Sequence, residues 1–155
     1  MTATRVSLVD VYVLRGTGAA VQCLVLRRAP GAVRPGSWET VHGRIDAEES
    51  ASDAAQRELR EETQLTPLRF YNLSRVDAFY LHRSDEIALI PAFVALVSAD
   101  AEPVLSEEHD RAEWLSPDDA RRRFTWPRER RAIDDALALF GSGNAGPVDD
   151  VLRLC

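Results

Sequence analysis

The stretch Ser50-Ala-Ser-Asp-Ala-Ala-Gln-Arg57-Glu58-Leu-Arg-Glu61-Glu62-Thr63 decides how this chain is read. It contains neither proline nor glycine, and its alanines recur at helical spacing, which predicts a helix from Ser50 to about Thr63. Glu58, Glu61 and Glu62 stand at i, i+3 and i+4, within roughly a 100° arc of one face. A run of acids is ordinarily a solvated face. Here Ala51, Ala54 and Ala55 share the arc, while Ser52, Asp53, Gln56, Arg57 and Arg60 hold the opposite, water-facing side. The acids therefore continue the stripe expected to pack. They also repel one another and lie near the helix C-terminus, penalties of a few tenths to about 1 kcal/mol each. Their coincidence calls for a compensating cation. Mg²⁺ or Mn²⁺ suits carboxylate oxygens and commonly shares its shell with phosphate and water. Such a site can neutralise a diphosphate and activate a water for in-line attack on phosphorus.

Upstream, Val6 to Leu14 and Ala20 to Leu26 are apolar or alternating around a Gly16-Thr17-Gly18 turn, the pattern of a β-hairpin. Residues 29–36 read as a loop, and Glu39 to Ile45 as a short extended piece interrupted by Gly43. Downstream, Leu73 to Leu81 and Ile87 to Val97 predict strands, and Pro91 makes the second an edge or bulged one. Arg111 to Leu115 predicts a short strand. Ser116-Pro117-Asp118-Asp119 then caps a helix to about Arg123, and a last helix runs from Pro127 to Phe140 and stops at Gly141. This order implies an α+β fold, a mixed-sheet sandwich, with one domain over residues 1–141 and a tail over 142–155.

At 155 residues the chain can bury a core without disulfides or structural zinc. Its two cysteines, Cys23 and Cys155, form no framework or metal cluster; Cys23 reads as a small core residue. The first residues lack the apolar core of a signal peptide, and the most apolar run is too short to cross a bilayer, so the expectation is a cytoplasmic protein without a membrane partner. All 19 cationic residues are arginine, which excludes a Walker phosphate loop and any lysine base or Schiff base. Arginine still clamps phosphates with its planar fork. A net charge of −6 argues against a nucleic-acid polymer as partner and leaves a small phosphorylated one open. Oligomeric state is not legible in the sequence.

Extended to both sides, the segment Gly43-Arg-Ile-Asp-Ala-Glu-Glu49, seven residues, then Arg57-Glu58-Leu59-Arg60-Glu61-Glu62-Thr63-Gln64-Leu65 resembles the signature of the Nudix hydrolase family. That pattern is Gly, five residues, Glu, seven residues, Arg-Glu-aliphatic-any-Glu-Glu-any-Gly-aliphatic. With the flanking elements the resemblance covers nearly the whole chain, and it implies an α/β/α sandwich with a mixed sheet between helices. It implies Glu58, Glu61 and Glu62 as ligands of Mg²⁺ or Mn²⁺, with one of them or a nearby acid as base. Arg57 would pair with Glu49 and hold the loop to the helix, and the carbonyl of His42, before Gly43, would complete the metal shell. Surface ion pairing is the alternative for Arg57, and helix capping for Glu49. The signature glycine is Gln64 here, where a left-handed turn costs a non-glycine residue about 1 kcal/mol, so an altered helix exit is expected.

Trp38-Glu39-Thr40-Val41-His42-Gly43 and Glu107-Glu108-His109 with Ala112-Glu113-Trp114-Leu115 resemble segments of the dihydroneopterin triphosphate and dATP pyrophosphohydrolase branch. The likeness makes Glu108 a candidate outlying ligand or base, an exposed loop acid being the alternative. Arg28 is the candidate phosphate clamp or a surface arginine. Trp38 and the His42 side chain are candidates for substrate contact, and core packing is the alternative for Trp38. His109 is an orienting or a surface histidine. The implied activity is hydrolysis of a nucleoside or pterin triphosphate with release of pyrophosphate. The alternatives are a diadenosine polyphosphate or nucleoside-diphosphate-sugar hydrolase, and a nucleotide sensor without turnover.

Overall fold

The structure is a computed structural model and describes residues 1–155. In chain order it runs β1 (Ala3–Val6), β2 (Leu8–Arg15), β3 (Gln22–Arg28), β4 (Trp38–Glu39), β5 (Val41–Arg44), α1 (Ala51–Thr63), β6 (Arg69–Leu81), β7 (Glu86–Val97), β8 (His109–Leu115), α2 (Pro117–Arg123), α3 (Pro127–Phe140) and α4 (Asp149–Leu152). The strands form one mixed sheet. β2 and β7 lie parallel at its centre, β1 is parallel to the start of β7, and the remaining pairings are antiparallel.

β2 is buried on both faces, and its alternation sorts the core. Val9, Val11 and Val13 pack with Ala54, Ala55 and Leu59 of α1. Tyr12 and Leu14 pack on the other face with Phe124 of the α2 cap and Ile133, Ala136 and Phe140 of α3. The result is the expected α/β/α sandwich. Cys23 is buried in the α3-side core. No helix is long and apolar enough to cross a membrane.

Three expectations change in detail. The β2–β3 hairpin is paired only at Leu14–Cys23 and Arg15–Gln22. Beyond that β2 turns to β5 and β3 to β8, because both strands need two partners to satisfy their backbones inside the core. Gly43 does not interrupt the extended piece; it sits within β5 opposite Val9. Pro91 marks neither an edge nor a bulge of its own strand. β7 is internal, and Pro91 falls between Leu89, the last residue paired with β1, and Ala92, the first paired with β2, where a missing N–H costs no rung. The irregularity lies in β6, between Asn72 and Arg75, with Ser74 at φ 57.

Residues 142–155 are packed against the domain. Leu152 is buried, the Leu154 N–H donates to the Phe70 carbonyl at 2.8 Å, and the Tyr71 hydroxyl donates to Asp149 at 2.6 Å.

Candidate active site

α1 begins with Ser50 as its cap, whose hydroxyl oxygen accepts from the Asp53 N–H at 3.1 Å. It ends at Gln64, which takes up the left-handed conformation itself, at φ 56 and ψ 15, with its N–H donating to the Arg60 carbonyl. The altered exit expected from the missing glycine is thus not found. The turn is kept because Leu65 is drawn into the core behind it, and the modest strain at Gln64 is tolerated.

The three glutamates of α1 have different fates. Glu62 is buried, and neither of its carboxylate oxygens has a hydrogen-bond partner. Burial, together with the neighbouring Glu58 and Glu108, pushes its carboxyl well above the ordinary range. The Glu58 side chain is 12% exposed, and burial raises its carboxyl against the pull of Arg57. Glu61 is different: its side chain is 59% exposed and stands at the rim, not in the packing stripe. Arg57 also departs from the helical-wheel reading, since it is turned inward with only 22% of its side chain exposed.

Arg57 organises the loop and the helix. Its Nε and Nη2 form a fork on Glu49, both at 2.9 Å, and Nη2 also donates to the Arg44 carbonyl at 2.8 Å. Nη1 donates to Glu58 at 2.8 Å and to Glu61 at 3.2 Å. Hydrogen bonds from Arg57 and then from the Asp46 N–H hold the Glu49 carboxyl down at about 2. Gly43 is required for a steric reason. A Cβ built there would lie closer than 3.0 Å to Cδ and both oxygens of Glu58, so any side chain at this position would displace that carboxylate.

Arg28 comes from β3, His109 from β8, and Glu108 from the turn just before β8. Arg28 is buried, donates from Nε to the Val33 carbonyl at 2.9 Å, and reaches Glu108 at 3.5 Å. Glu108 is exposed, whereas His109 is buried, so the surface alternative for that histidine falls. Burial, and then Arg28, lower its imidazole to about 4, and its Nδ1 has no partner. Ligand atoms of Glu62, Glu108 and His109 lie within 4.8 Å of one another. Orphaned buried carboxylate oxygens beside two further acids are the donor set a hard divalent cation takes, so the residues fit the metal the sequence implies.

A cleft of about 420 Å³ opens beside this cluster, lined by Arg28, Arg34, His42, Glu58, Phe79 and Glu108 among others. A hollow of about 470 Å³ beside Gly16, Leu68 and Val97 lies at the opposite end of β2 and carries only Arg69 as a charged group. The acids belong to the first. Trp38 does not line this cleft; it packs against the α3-side core, with the Arg123 guanidinium 4.5 Å from its ring centre.

The sequence reading missed a buried polar group on the α3 side of the cleft. Asp10 of β2 is fully buried and accepts from Arg128 at 3.0 and 3.2 Å, with His42 Nδ1 at 2.7 Å. Burial alone would raise its carboxyl, but His42 and Arg128 outweigh that and hold it below the ordinary range. Glu39 accepts from Arg34 at 3.2 Å through each oxygen and from the Trp126 ring N–H. Glu129 accepts from the Thr40 N–H at 2.6 Å, and burial and then Asp10 raise its carboxyl well above the usual value. The available signal was Asp10 itself, a lone charge within the apolar run Val9 to Leu14.

Fold and site together define a class: an α/β/α sandwich whose carboxylate-bearing helix stands beside a charged cleft. Residues 4–136 match the NUDIX domain, and the chain belongs to the Nudix family. It is 35% identical over 133 residues to the octanoyltransferase of Myxococcus xanthus, covering 84% of this chain and 36% of that one. The chain thus spans about a third of the length of that relative. It is 32% identical over 94 residues to the nucleoside triphosphatase NudI of Escherichia coli, covering 56% of this chain and 67% of that one. Among solved structures it superposes on a C. elegans Ap4A hydrolase with a TM-score of 0.71 at 17% identity, covering 88% of this chain and 96% of the other. The E. coli dihydroneopterin triphosphate pyrophosphohydrolase gives 0.65 at 23% identity, covering 86% and 96%. These two likenesses are of fold alone.

Proposed function

We propose that the chain hydrolyses a phosphoanhydride bond of a nucleoside or pterin triphosphate, releasing pyrophosphate. The observation that carries this reading is Glu62, a buried carboxylate without a hydrogen-bond partner, set beside Glu58 and within reach of Glu108. Such a group is costly to keep unless a cation occupies its lone pairs. Glu58, Glu62 and Glu108 would hold Mg²⁺ or Mn²⁺, which when bound would neutralise charge at the phosphates and acidify a water. Arg57 fixes Glu58 and Glu61 from one side. Arg28, anchored on Val33, faces the cleft as the phosphate clamp. Glu61 and Glu108, the exposed acids at the rim, would complete the shell or take the proton as water adds to phosphorus and the bridging P–O bond breaks toward pyrophosphate. The relationship to NudI supports a triphosphate over a dinucleotide.

The test is a panel of phosphorylated substrates with Mg²⁺ and chromatographic identification of products. Pyrophosphate with a monophosphate is expected; two nucleotides or a sugar phosphate would move the substrate to the dinucleotide or sugar class. Glu62→Gln is expected to cut turnover by orders of magnitude with the fold retained. Near-wild-type rates in that variant would sink the metal assignment.

A further inference from the structure

The two faces of β5 serve different ends of the cleft. Gly43 abuts Glu58 on the α1 side, so the side chain of its neighbour His42 turns to the opposite face. There His42 Nδ1 meets Asp10, a fully buried carboxylate gripped by the Arg128 guanidinium. That carboxylate has no hydrogen to give, so Nδ1 must carry one and donate it. In the neutral ring Nε2 is then a bare acceptor, with no protein group bound to it. Because the Nδ1 edge is committed to the buried aspartate, the Nε2 edge is the one His42 presents to the cleft it lines.

The wall around that edge mixes apolar and charged side chains. Leu8, Phe79 and Leu81 line the cleft with His42, and Trp126 stands edge-on to Phe79 at 5.8 Å between ring centres. The charged groups on this wall pair with one another, Arg34 with Glu39 and Arg128 with Asp10. With those charges paired, the wall offers the apolar side chains of Leu8, Phe79 and Leu81 and one fixed acceptor.

We propose that this side of the cleft seats a heteroaromatic head group of the substrate, and that His42 Nε2 accepts a hydrogen bond from an exocyclic amino group on it. His42 is then a specificity-determining residue, and Asp10 with Arg128 positions it. The inference rests on reading the chain as a hydrolase of nucleoside-type triphosphates, which supplies the anionic end of the same ligand.

The experiment compares, at pH 8 with Mg²⁺, adenosine 5′-triphosphate with purine riboside 5′-triphosphate, and guanosine with inosine 5′-triphosphate; each pair differs by one amino group. Binding of the four corresponding monophosphates is measured by calorimetry, so that recognition is read without turnover. The wild type is expected to favour the amino-bearing member of at least one pair by about 10-fold or more. The preference is expected to collapse to within about threefold in His42→Phe, which keeps the ring volume and the backbone. Asp10→Asn offers the imidazole a side-chain amide donor, which switches the tautomer and makes Nε2 a donor; the preference for the amino-bearing member is expected to be lost in that variant as well. An unchanged ratio in His42→Phe, or no discrimination by the wild type in either pair, would overturn the proposal. Wild type that hydrolyses none of the triphosphates yet binds the monophosphates with the expected ratio would overturn the hydrolase reading and leave His42 assigned.

Discussion

Replacing Gly43 with alanine isolates the steric core of the candidate site, because one methyl group touches the side chain of Glu58. The new Cβ would meet Cδ and both oxygens of Glu58 inside 3.0 Å, closer than real Cβ atoms come, so the carboxylate must move by about 1 Å or more. Its bond to Arg57, now 2.8 Å, is lost or rearranged in that movement. The backbone has no reason to give way first, since Gly43 is held opposite Val9 within β5. A misplacement of about 1 Å in a positioned group costs about 100-fold in rate, or about 2.7 kcal/mol of transition-state stabilisation. The fold should survive with a loss of about 1–3 kcal/mol, because the displaced atoms are the far end of a side chain. The assay is Mg²⁺-dependent pyrophosphate release beside a chemical denaturation curve. Turnover within about threefold of wild type in a folded Gly43→Ala protein would refute the argument that this glycine exists to admit Glu58.

Gln64→Gly should stabilise the protein by about 1 kcal/mol, since the left-handed turn at φ 56 is already made and glycine adopts it without strain; an unchanged or lower denaturation midpoint would contradict that. Arg128→Met leaves the Asp10 carboxylate buried without its cation, and a loss of about 3–5 kcal/mol by denaturant titration is expected. Glu49 has a folded pKa of about 2, depressed below its unfolded value of 4.5. It therefore contributes stability that is present above pH 4.5 and lost as pH falls toward about 2. Glu49→Gln should flatten the stability profile across that acid interval, and a profile as steep as the wild type's would show that the Arg57 fork contributes nothing there.

The helix, its acids and the family were legible from residues alone, because helical periodicity and the spacing of fixed charges are local properties of the chain. Gly43, Glu49, Arg57 and the three glutamates lie within 20 positions of one another. What tertiary structure decided is which of them are out of water. The helical wheel treated Glu58, Glu61 and Glu62 alike, yet the fold buries Glu62, covers most of Glu58 and leaves Glu61 at the rim. Arg57, assigned to solvent by the same wheel, is pulled inward by the loop that carries Glu49. Burial depends on what packs opposite, and a single helix does not contain that information.

The same limit hid the Asp10–His42–Arg128 group. Its members are separated by 32 and 118 positions and meet only because β5 lies beside β2 and α3 crosses that face. Gln64 shows the converse. Its side chain predicts a changed turn, but the burial of Leu65 and the rest of the α1-side core outweighs about 1 kcal/mol of backbone strain. By itself the sequence determined the chemistry of one helix face and the order of the elements, through periodicity and spacing. The tertiary structure decided which acids are desolvated, which histidine edge meets the cleft and where the chain could accept strain, because each depends on contacts between segments far apart in the chain.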